Sequence, residues 1–438
     1  MEKVRIVGGG LAGCECAIYL AERGVKVKLY DIKPNKKTPA HHSDNFAELV
    51  CSNSLKSNDV FGNACGLLKE EMRILGSAVI EIADKTRVPA GNALAVNRED
   101  FSYLITNRIL TNSNIEVVSD EVTSIDKVDF DGYVVVATGP LTTDALSNDI
   151  AKITGGQLSF FDAAAPIISA DSIDMENAFI ADRWDKGNGD HINCPMNKEQ
   201  YLEFIDALLN AKRAEQKDFE NSAVFEGCMP IEVMASRGVD TLRFGPLKPA
   251  GLTDPKTGRW PYACLQLRRE DADGNMYNLV GFQTNLLWGE QKKVFSIIPA
   301  LKNAEYLRYG VMHRNTYVNS PKVLKSDFSL KGRENVFFAG QITGVEGYVE
   351  STASGLLVAI NILNQLNGKK SVLLDDTTVL GALSNYVATP NFDFQPMNAN
   401  FGILANVEMI KKDKALKKRL QAERSIENIK KLKNDLVF

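Results

Sequence analysis

Hydrophobic and polar positions near the start of the chain switch between the spacing of strands and that of helices. Val4 to Val7 is a short apolar run, which predicts a buried strand. From Leu11 to Arg23 the apolar residues recur on one helical face, and Gly24 stands where such a helix should stop. Val25 to Tyr30 is apolar again. The pattern therefore predicts a β-strand, a helix and a second β-strand in succession.

Further along, the pattern indicates one domain inserted into another. Asn114 to Val118 and Tyr133 to Ala137 predict more strands. After about residue 155 hairpin signals appear instead, the clearest at Asp273-Gly274-Asn275 between two β-rich runs. A strand at Asn335 to Ala339 then leads through glycines into a long apolar helix. We expect an α/β fold in which a Rossmann-like nucleotide-binding domain, residues 1–155 and 328–438, is interrupted by an inserted α+β domain, residues 156–327.

Composition narrows the class of protein. With 438 residues, the chain exceeds what one hydrophobic core usually holds, so about two domains are expected. No apolar run approaches the roughly 20 residues that span a bilayer, and the chain opens on a strand rather than a secretory leader. We expect a cytoplasmic protein without a membrane partner. The odd number of cysteines, seven, argues against a disulfide framework, and the absence of CxxC pairs or His/Cys clusters argues against a metal site.

The cysteines differ in their neighbourhoods. Cys51, in ELVCSNS, and Cys228, in EGCMPIE, stand beside small polar residues or a proline turn, where a side chain can be exposed at a site. The other five are Cys14, Cys16, Cys65, Cys194 and Cys264. The first three of these lie among Ala and Gly and are expected in the core, whereas for Cys194 and Cys264 the core is favoured and the alternative stays open. From composition alone, a catalytic role for any single cysteine is less frequent than a buried, inert one.

Charge is unevenly distributed. The net charge is −4, which gives no general attraction to nucleic acid and no reason to expect DNA binding. From Ile410 onward, ten Lys/Arg face four Asp/Glu, so this segment carries +6 and the remainder −10. Such a segment can follow RNA phosphates, or it can be a solvated surface helix. The sequence leaves both interpretations open.

The glycines after the first strand predict a dinucleotide site. Gly8 to Gly13 fits G-x-G-x-x-G, with a strand before it and a helix after it. Glycines at these positions let backbone N–H groups approach a pyrophosphate at the helix N-terminus. Asp31 ends the next strand and can accept hydrogen bonds from ribose hydroxyls. The candidate residues in this motif are Gly8, Gly10, Leu11, Ala12, Gly13 and Asp31.

A second glycine turn near the C-terminus favours FAD over NAD. Gly340, Gly344 and Gly347 separate a strand from an apolar helix expected from Glu350 onward, whose positive end suits the flavin ring. A pure packing role for these glycines is the alternative. Together the two motifs predict a Rossmann-like FAD-binding domain. The further candidate cofactor residues are Gly139, Gly340, Gln341, Gly347, Tyr348 and Ser351.

Several longer blocks resemble a known family. They are PAHHSDNFAELVCSNSLKSN, FEGCMPIEV, RFGPLKPAGL, YGVMHRNTY, GQITGVEGYVES and FQPMNANFG. In these blocks, and nearly end to end, the chain resembles the folate- and FAD-dependent RNA uracil-5-methyltransferases, TrmFO-like enzymes related to the GidA-type flavoproteins. Gly9, at a position that varies in the motif, and Cys14 and Cys16, in place of small residues, are small departures that should leave the chemistry unchanged.

The resemblance implies a reaction and roles for particular residues. A thiolate that adds to C6 of uracil makes C5 nucleophilic, methylenetetrahydrofolate supplies the carbon, and reduced flavin supplies two electrons. NAD(P)H would re-reduce the flavin; the route of the methylene, through a flavin iminium or directly, stays open. Cys228 matches the proposed nucleophile, and Cys51 a second essential cysteine near the flavin. His313 matches a histidine that stacks on folate, although alone it would more often be structural. Tyr348 packs beside the flavin or is a plain structural aromatic.

The RNA substrate is open at this stage. The family's usual target is the T-loop uridine of tRNA, whereas some members in reduced genomes modify a uridine of 23S rRNA. The excess of Lys over Arg and the frequent Asn and Ile indicate an AT-rich genome, which keeps the rRNA alternative open. Two rival functions are a flavin oxidoreductase of a small molecule and a non-catalytic RNA-binding flavoprotein. We expect RNA contacts in the inserted domain and at Lys411, Lys412, Lys417 and Lys418.

Overall fold

The computed structural model describes residues 3–38, 40–185, 189–214, 229–271, 273–391, 394–407 and 413–436. Within these ranges the strands are β1 Val4–Val7, β2 Val27–Asp31, β3 Ser54–Ser57, β4 Arg87–Val88, β5 Ala93–Val96, β6 Ile115–Ser119, β7 Tyr133–Val136, β8 Gln157–Ala163, β9 Ile167–Ser169, β10 Phe179–Ile180, β11 His191–Met196, β12 Ala263–Arg269, β13 Met276–Leu279, β14 Tyr306–Arg308, β15 Met312–Val318, β16 Ser329–Leu330 and β17 Arg333–Phe338. The helices are α1 Leu11–Ala21, α2 Ala64–Leu75, α3 Ala78–Lys85, α4 Arg98–Leu110, α5 Asp144–Thr154, α6 Lys198–Asn210, α7 Ile231–Ser236, α8 Thr241–Phe244, α9 Trp288–Phe295, α10 Ser320–Val323, α11 Tyr348–Leu366, α12 Val379–Ala388 and α13 Lys414–Asp435.

A largely parallel sheet unites the two ends of the chain. Its order is β16-β17-β7-β1-β2-β6, and every neighbouring pair is parallel except β16 with β17. The central strands are nearly continuous apolar runs, as expected for strands covered on both faces. Ile6, for example, pairs in register with Leu29 and Val135, and all three are fully buried. This arrangement confirms the predicted α/β class.

Helix α1 is buried on every side, whereas the sequence pattern predicted a single buried face. All residues from Leu11 to Ala21 are buried, because α1 packs against α11, α3 and α4 as well as the sheet. The close approach of α11 needs Gly355, where an added Cβ would lie 2.2 Å from the Ala12 carbonyl oxygen. The helix ends before the predicted Arg23, and Gly24 follows with a φ of +81°.

The middle of the chain forms a separate antiparallel sheet. Its order is β10-β11-β12-β13-β9-β14, and it contains the predicted hairpin, β12 with β13. Its core includes a cluster of Phe204, Phe282 and Phe295, whose ring centroids are 5.1–6.4 Å apart. The strands of the parallel sheet come from both sides of this segment in the sequence, in agreement with an insertion. The bounds at residues 155 and 328 stay a prediction.

The basic C-terminal segment is a helix with one face in the core. Ala422, Ser425 and Ile429 of α13 are buried, and α13 packs on α2. The buried Glu71 carboxylate accepts two hydrogen bonds, one from the Ser425 hydroxyl at 2.5 Å and one from the Val379 N–H at 2.7 Å. The segment is therefore neither a loose tail nor a wholly solvated helix. Among the helices that the structure describes, none is long and apolar enough to cross a membrane.

Candidate cofactor site and reactive cysteine

An open cleft lies where the parallel strands end and the two glycine motifs meet, and its volume of about 1140 Å³ includes the solvent at its mouth. Such a position, at the carboxyl ends of parallel strands, is where this class of sheet binds ligands. The structure thus brings together candidate residues from opposite ends of the sequence. Those that line the cleft are Gly8, Gly10, Leu11, Ala12, Asp31, Gly139, Gly340, Gln341, Tyr348 and Ser351. Gly13 and Gly347 are candidates that do not line it.

The first glycine turn is packed so tightly that two of its glycines leave no room for a side chain. Gly8 has a φ of +109°, and an added Cβ would lie 2.4 Å from the Ala137 carbonyl oxygen. At Gly13 a Cβ would lie 1.9 Å from the carbonyl oxygen of Gly8. Gly13 therefore acts by letting α1 start close to the turn, rather than by touching a ligand. Gly10, the N-cap of α1, has no side chain to accept the first N–H groups, so these remain available to an anion.

Asp31 lines the cleft and also fixes the turn. Its Oδ2 accepts the Gly9 N–H at 2.6 Å, and its Oδ1 accepts the Lys33 N–H at 2.8 Å. Each carboxylate oxygen keeps a further lone pair, so the predicted bonds to ribose hydroxyls remain feasible. Gly9 stands at a position that varies in the motif, but in this chain it has little room for a side chain. A Cβ there would lie 2.5 Å from Phe46 Cδ1 and 2.8 Å from Asp31 Oδ2.

The second turn starts α11 earlier than predicted, at Tyr348 instead of Glu350. Gly340 has a φ of +83° and donates its N–H to the Ser354 hydroxyl at 2.7 Å, which ties the turn to α11. Gly347 has a φ of +121°, and a Cβ there would lie 2.3 Å from Glu350 Oε2. The tight space at Gly347 favours the packing role that the sequence left open, and contact of Gly347 with a cofactor stays a prediction.

The cleft fits an extended dinucleotide. Backbone without side chains lines it at both motifs, an acidic residue stands where a ribose is expected, and an uncapped helix start stands where a pyrophosphate is expected. FAD placed there would be held by the residues named above. His41 also lines the cleft, and burial lowers its pKa, so its ring is neutral near pH 7. His42, its neighbour, is exposed.

Cys51 lies on a loop that is tied to the second motif. Its backbone N–H donates to the Tyr348 hydroxyl oxygen at 2.7 Å, and the N–H of Ser52 approaches the same oxygen at 3.4 Å. The cysteine is partly exposed. Burial raises the pKa of Tyr348, so this phenol keeps its proton. Tyr348 thus lines the cofactor cleft and positions the Cys51 loop.

Two arginines that the sequence analysis missed brace the same loop. Arg98 Nη1 donates to the Leu49 carbonyl oxygen at 2.7 Å, and Arg268 Nη2 donates to the Ser52 hydroxyl at 2.7 Å. Arg98 Nε also pairs with Glu270 Oε2 at 2.6 Å. Nothing local in the sequence marks these residues, because the contacts join the loop to α4 and to the distant strand β12.

The remaining candidates have different outcomes. Three of them lie outside the described residues: Cys228, Lys411 and Lys412. The backbone of His313 is on β15, opposite Asp162, but its side-chain contacts are outside what the structure describes. On either side of the segment with Cys228, Ala214 N–H donates to Asn285 at 2.9 Å and Ile231 N–H to Gln283 at 2.7 Å. The three cysteines expected in the core and the two for which the core is favoured are all buried, which confirms that prediction.

The two lysines of α13 that the structure describes both have local partners. Lys417 Nζ donates to Asn406 Oδ1 at 2.7 Å, and Lys418 Nζ to the Gly62 carbonyl oxygen at 3.2 Å. Both contacts are exposed and so are weak. RNA contact by these lysines stays a prediction.

Comparison with known proteins identifies relatives of similar sequence and of similar fold. A family model described as GIDA, glucose inhibited division protein A, matches residues 3–370. A methylenetetrahydrofolate–tRNA-(uracil-5-)-methyltransferase TrmFO of Acetivibrio thermocellus is 54% identical over 432 residues, 98% of each chain. One of Staphylococcus aureus is 52% identical over 438 residues, 99% of this chain and 100% of the relative. The structure of Aquifex aeolicus GidA is similar in fold, with a TM-score of 0.71 at 16% identity over 99% of this chain and 73% of that chain.

Proposed function

This chain belongs to the family of methylenetetrahydrofolate–tRNA-(uracil-5-)-methyltransferases, itself related to GidA, and on that premise we propose that it converts a uridine of tRNA to 5-methyluridine. Identity of 52–54% to such enzymes along nearly the whole chain carries the proposal. The cleft that unites both glycine motifs beside the Cys51 loop supports it. Bound FAD supplies the two electrons that turn a methylene carbon from methylenetetrahydrofolate into a methyl group, with NAD(P)H as the source of those electrons.

The chain's own residues have distinct parts in the proposed reaction. The Cys228 thiolate adds to C6 of uracil, which makes C5 nucleophilic. Cys51 is the second reactive thiol, on a loop whose Glu48 and Val50 line the cleft and which Tyr348 holds in place. His313 stacks on the folate ring. The glycine turns and Asp31 would hold FAD, with Gly8 and Gly340 among the residues that line the cleft.

The names of the relatives support a uridine of tRNA as the substrate, and we propose that it is the T-loop uridine. A uridine of 23S rRNA is the alternative. Two partly buried lysines of α13, Lys417 and Lys418, together with Lys411 and Lys412, are proposed to contact RNA phosphates. A Lys417→Glu/Lys418→Glu variant should bind RNA more weakly and with less salt dependence, while keeping its flavin. Lys430→Glu/Lys431→Glu, on the same helix but farther along, is the matched control; equal loss in both would remove the assignment.

Label transfer tests the reaction and the substrate together. The flavin-loaded protein is incubated with NADH, methylene-labelled methylenetetrahydrofolate and either an unmodified tRNA transcript or a 23S rRNA fragment. Label in 5-methyluridine of the tRNA alone is expected, and label in the rRNA alone would overturn the choice of RNA. NADH oxidation without label in either would favour a small-molecule flavin oxidoreductase.

Cysteine variants separate catalysis from RNA binding. Cys228→Ala should abolish methylation and Cys51→Ala should reduce it at least about a hundredfold, because each removes a nucleophile or activated thiol. Both should keep flavin absorbance and RNA binding. Full methylation by Cys228→Ala would contradict the mechanism, and unchanged biological function without methylation would favour a non-catalytic RNA-binding flavoprotein.

A further inference from the structure

Three arginines from separate elements lie close enough to Cys51 for their charges to act on its thiol. Arg98 starts α4, Arg268 lies on β12 and Arg308 ends β14. Within the part of the chain that the structure describes, only Arg98 of these three arginines forms an ion pair, with Glu270 at 2.6 Å. Three positive charges thus share two carboxylates, Glu270 beside Arg98 and Arg268 and Glu48 near Arg308, which leaves the cluster short of negative charge.

Two of the guanidinium groups have buried nitrogens without a partner. Arg98 Nη2 and Arg308 Nη2 are inaccessible to solvent and make no hydrogen bond to any residue that the structure describes. Burial, followed by the neighbouring charge of Arg98, lowers the pKa of Arg308. A buried guanidinium nevertheless stays protonated, so the cluster is most stable with a further anion beside it.

We propose that the Cys51 thiol is this anion, and that Arg98, Arg268 and Arg308 keep it deprotonated at neutral pH. The hydrogen bonds of Arg98 to Leu49 and of Arg268 to Ser52 hold the loop on both sides of Cys51. The thiol proton leaves to solvent. Positive side chains lower the pKa of a nearby thiol from its usual value of about 8.5. The proposed function requires a reactive Cys51 but does not specify the charge of its thiol. The charge proposed here follows from the arginines around the loop and does not depend on methyl transfer.

The other titratable groups around the loop are neutral or paired. Glu48, on the same loop, opposes the thiolate, but its carboxylate accepts the N–H of His42 at 2.9 Å and lies 4.0 Å from Lys33 Nζ. His41 is neutral because burial lowers its pKa, and Tyr348 is neutral because burial raises its pKa. The three arginines therefore outweigh the acidic groups near the thiol.

The pH dependence of alkylation tests this proposal. The flavin-loaded, full-length protein is treated with iodoacetamide between pH 5 and 10, and modification of Cys51 is followed by peptide mass mapping. A half-maximal rate below about pH 7.5 is expected, against about 8.5 for an ordinary thiol. A midpoint at about 8.5 or above would overturn the proposal on the wild-type protein alone, whether or not any variant folds.

Two variants distinguish the effect of arginine charge on the Cys51 thiol from the effect of the hydrogen bonds that hold the loop. Arg308→Met removes a charge from a side chain whose Nη2 has no hydrogen-bond partner among the described residues. It should raise the midpoint by about one pH unit, so that alkylation below the midpoint slows about tenfold. Arg268→Lys keeps the charge and should leave the midpoint unchanged. An unshifted midpoint in Arg308→Met, with flavin absorbance and melting temperature preserved, would also overturn the proposal. Because methylation is not the readout, failure of the proposed function would leave these results interpretable.

Discussion

Replacing Gly13 with alanine should damage the fold itself, in contrast to other changes in the same motif. A Cβ at this position would lie 1.9 Å from the carbonyl oxygen of Gly8 and 3.4 Å from the Ala137 side chain. Ordinary carbon–oxygen contact needs more than 3 Å, and the atom in the way belongs to the backbone, so α1 must move away from the turn. Overpacking of this kind costs about 3 kcal/mol, the upper end of the usual range.

Gly10→Ala is the matched control, because it adds the same methyl group three residues earlier. The nearest atom to a Cβ at Gly10 is 4.0 Å away, and its φ is −78°, which any residue adopts. Alanine there should cost less than about 1 kcal/mol, as a poorer N-cap than glycine. Since Gly10 lines the cleft, its methyl group should instead hinder the cofactor.

Calorimetry of the flavin-free proteins and flavin titration distinguish the two effects. Gly13→Ala should lower the melting temperature by at least about 5 °C, given about 2–4 °C per kcal/mol for domains of this size. Gly10→Ala should melt within about 2 °C of the wild type but bind FAD at least about tenfold more weakly. A Gly13→Ala protein that melts normally would refute the packing argument, and normal FAD affinity in Gly10→Ala would refute the placement of the pyrophosphate.

Three further changes test other contacts. Gly355→Ala should separate α1 from α11 and lower both the melting temperature and the flavin content. Gly289→Ala is the control: an added Cβ there has no neighbouring atom within 4 Å, so it should be neutral or stabilising, and equal effects of the two variants in a thermal melt would contradict this. Lys56→Met removes the cation 2.9 Å from the fully buried Glu350 carboxylate and should reduce the free energy of unfolding, measured by urea titration, by about 2 kcal/mol. This figure is below that of a fully buried pair because the lysine is half exposed, and no loss would show that the pair is dispensable. Tyr348→Phe leaves the Cys51 N–H without its 2.7 Å acceptor and should slow methylation about tenfold or more at a nearly unchanged melting temperature; full activity would remove Tyr348 as a positioning residue.

The parts of the fold that could be predicted are those set by neighbouring residues. The run from Val4 through the glycine turn to Asp31 predicted a strand, a helix and a strand because each element's hydrophobic period is local. The same pattern could not show that α1 is enclosed on all sides. That enclosure depends on Gly355, which comes from the far end of the chain and contacts Ala12.

The candidate site shows the same division. The glycine motifs and Asp31 have a recognisable spacing, and the structure brings most of them to one cleft. Arg98 and Arg268 have no such spacing, because they act on the Cys51 loop across long stretches of sequence. Gly9 looked interchangeable in the motif, yet Phe46, a residue outside it, occupies the space that a side chain would need.

The order of strands in the parallel sheet has a consequence for synthesis on the ribosome. Strand β7, Tyr133–Val136, pairs with β17, Arg333–Phe338, although nearly two hundred residues are translated between them. At about 5–20 residues per second, the edge of β7 waits roughly 10–40 s for its partner. Helix α11, Tyr348–Leu366, which completes the cleft, emerges later still. An unfinished chain therefore displays an apolar strand with one unpaired edge, the other being paired with β1, and we expect nascent chains stalled between these points to be bound by chaperones or degraded.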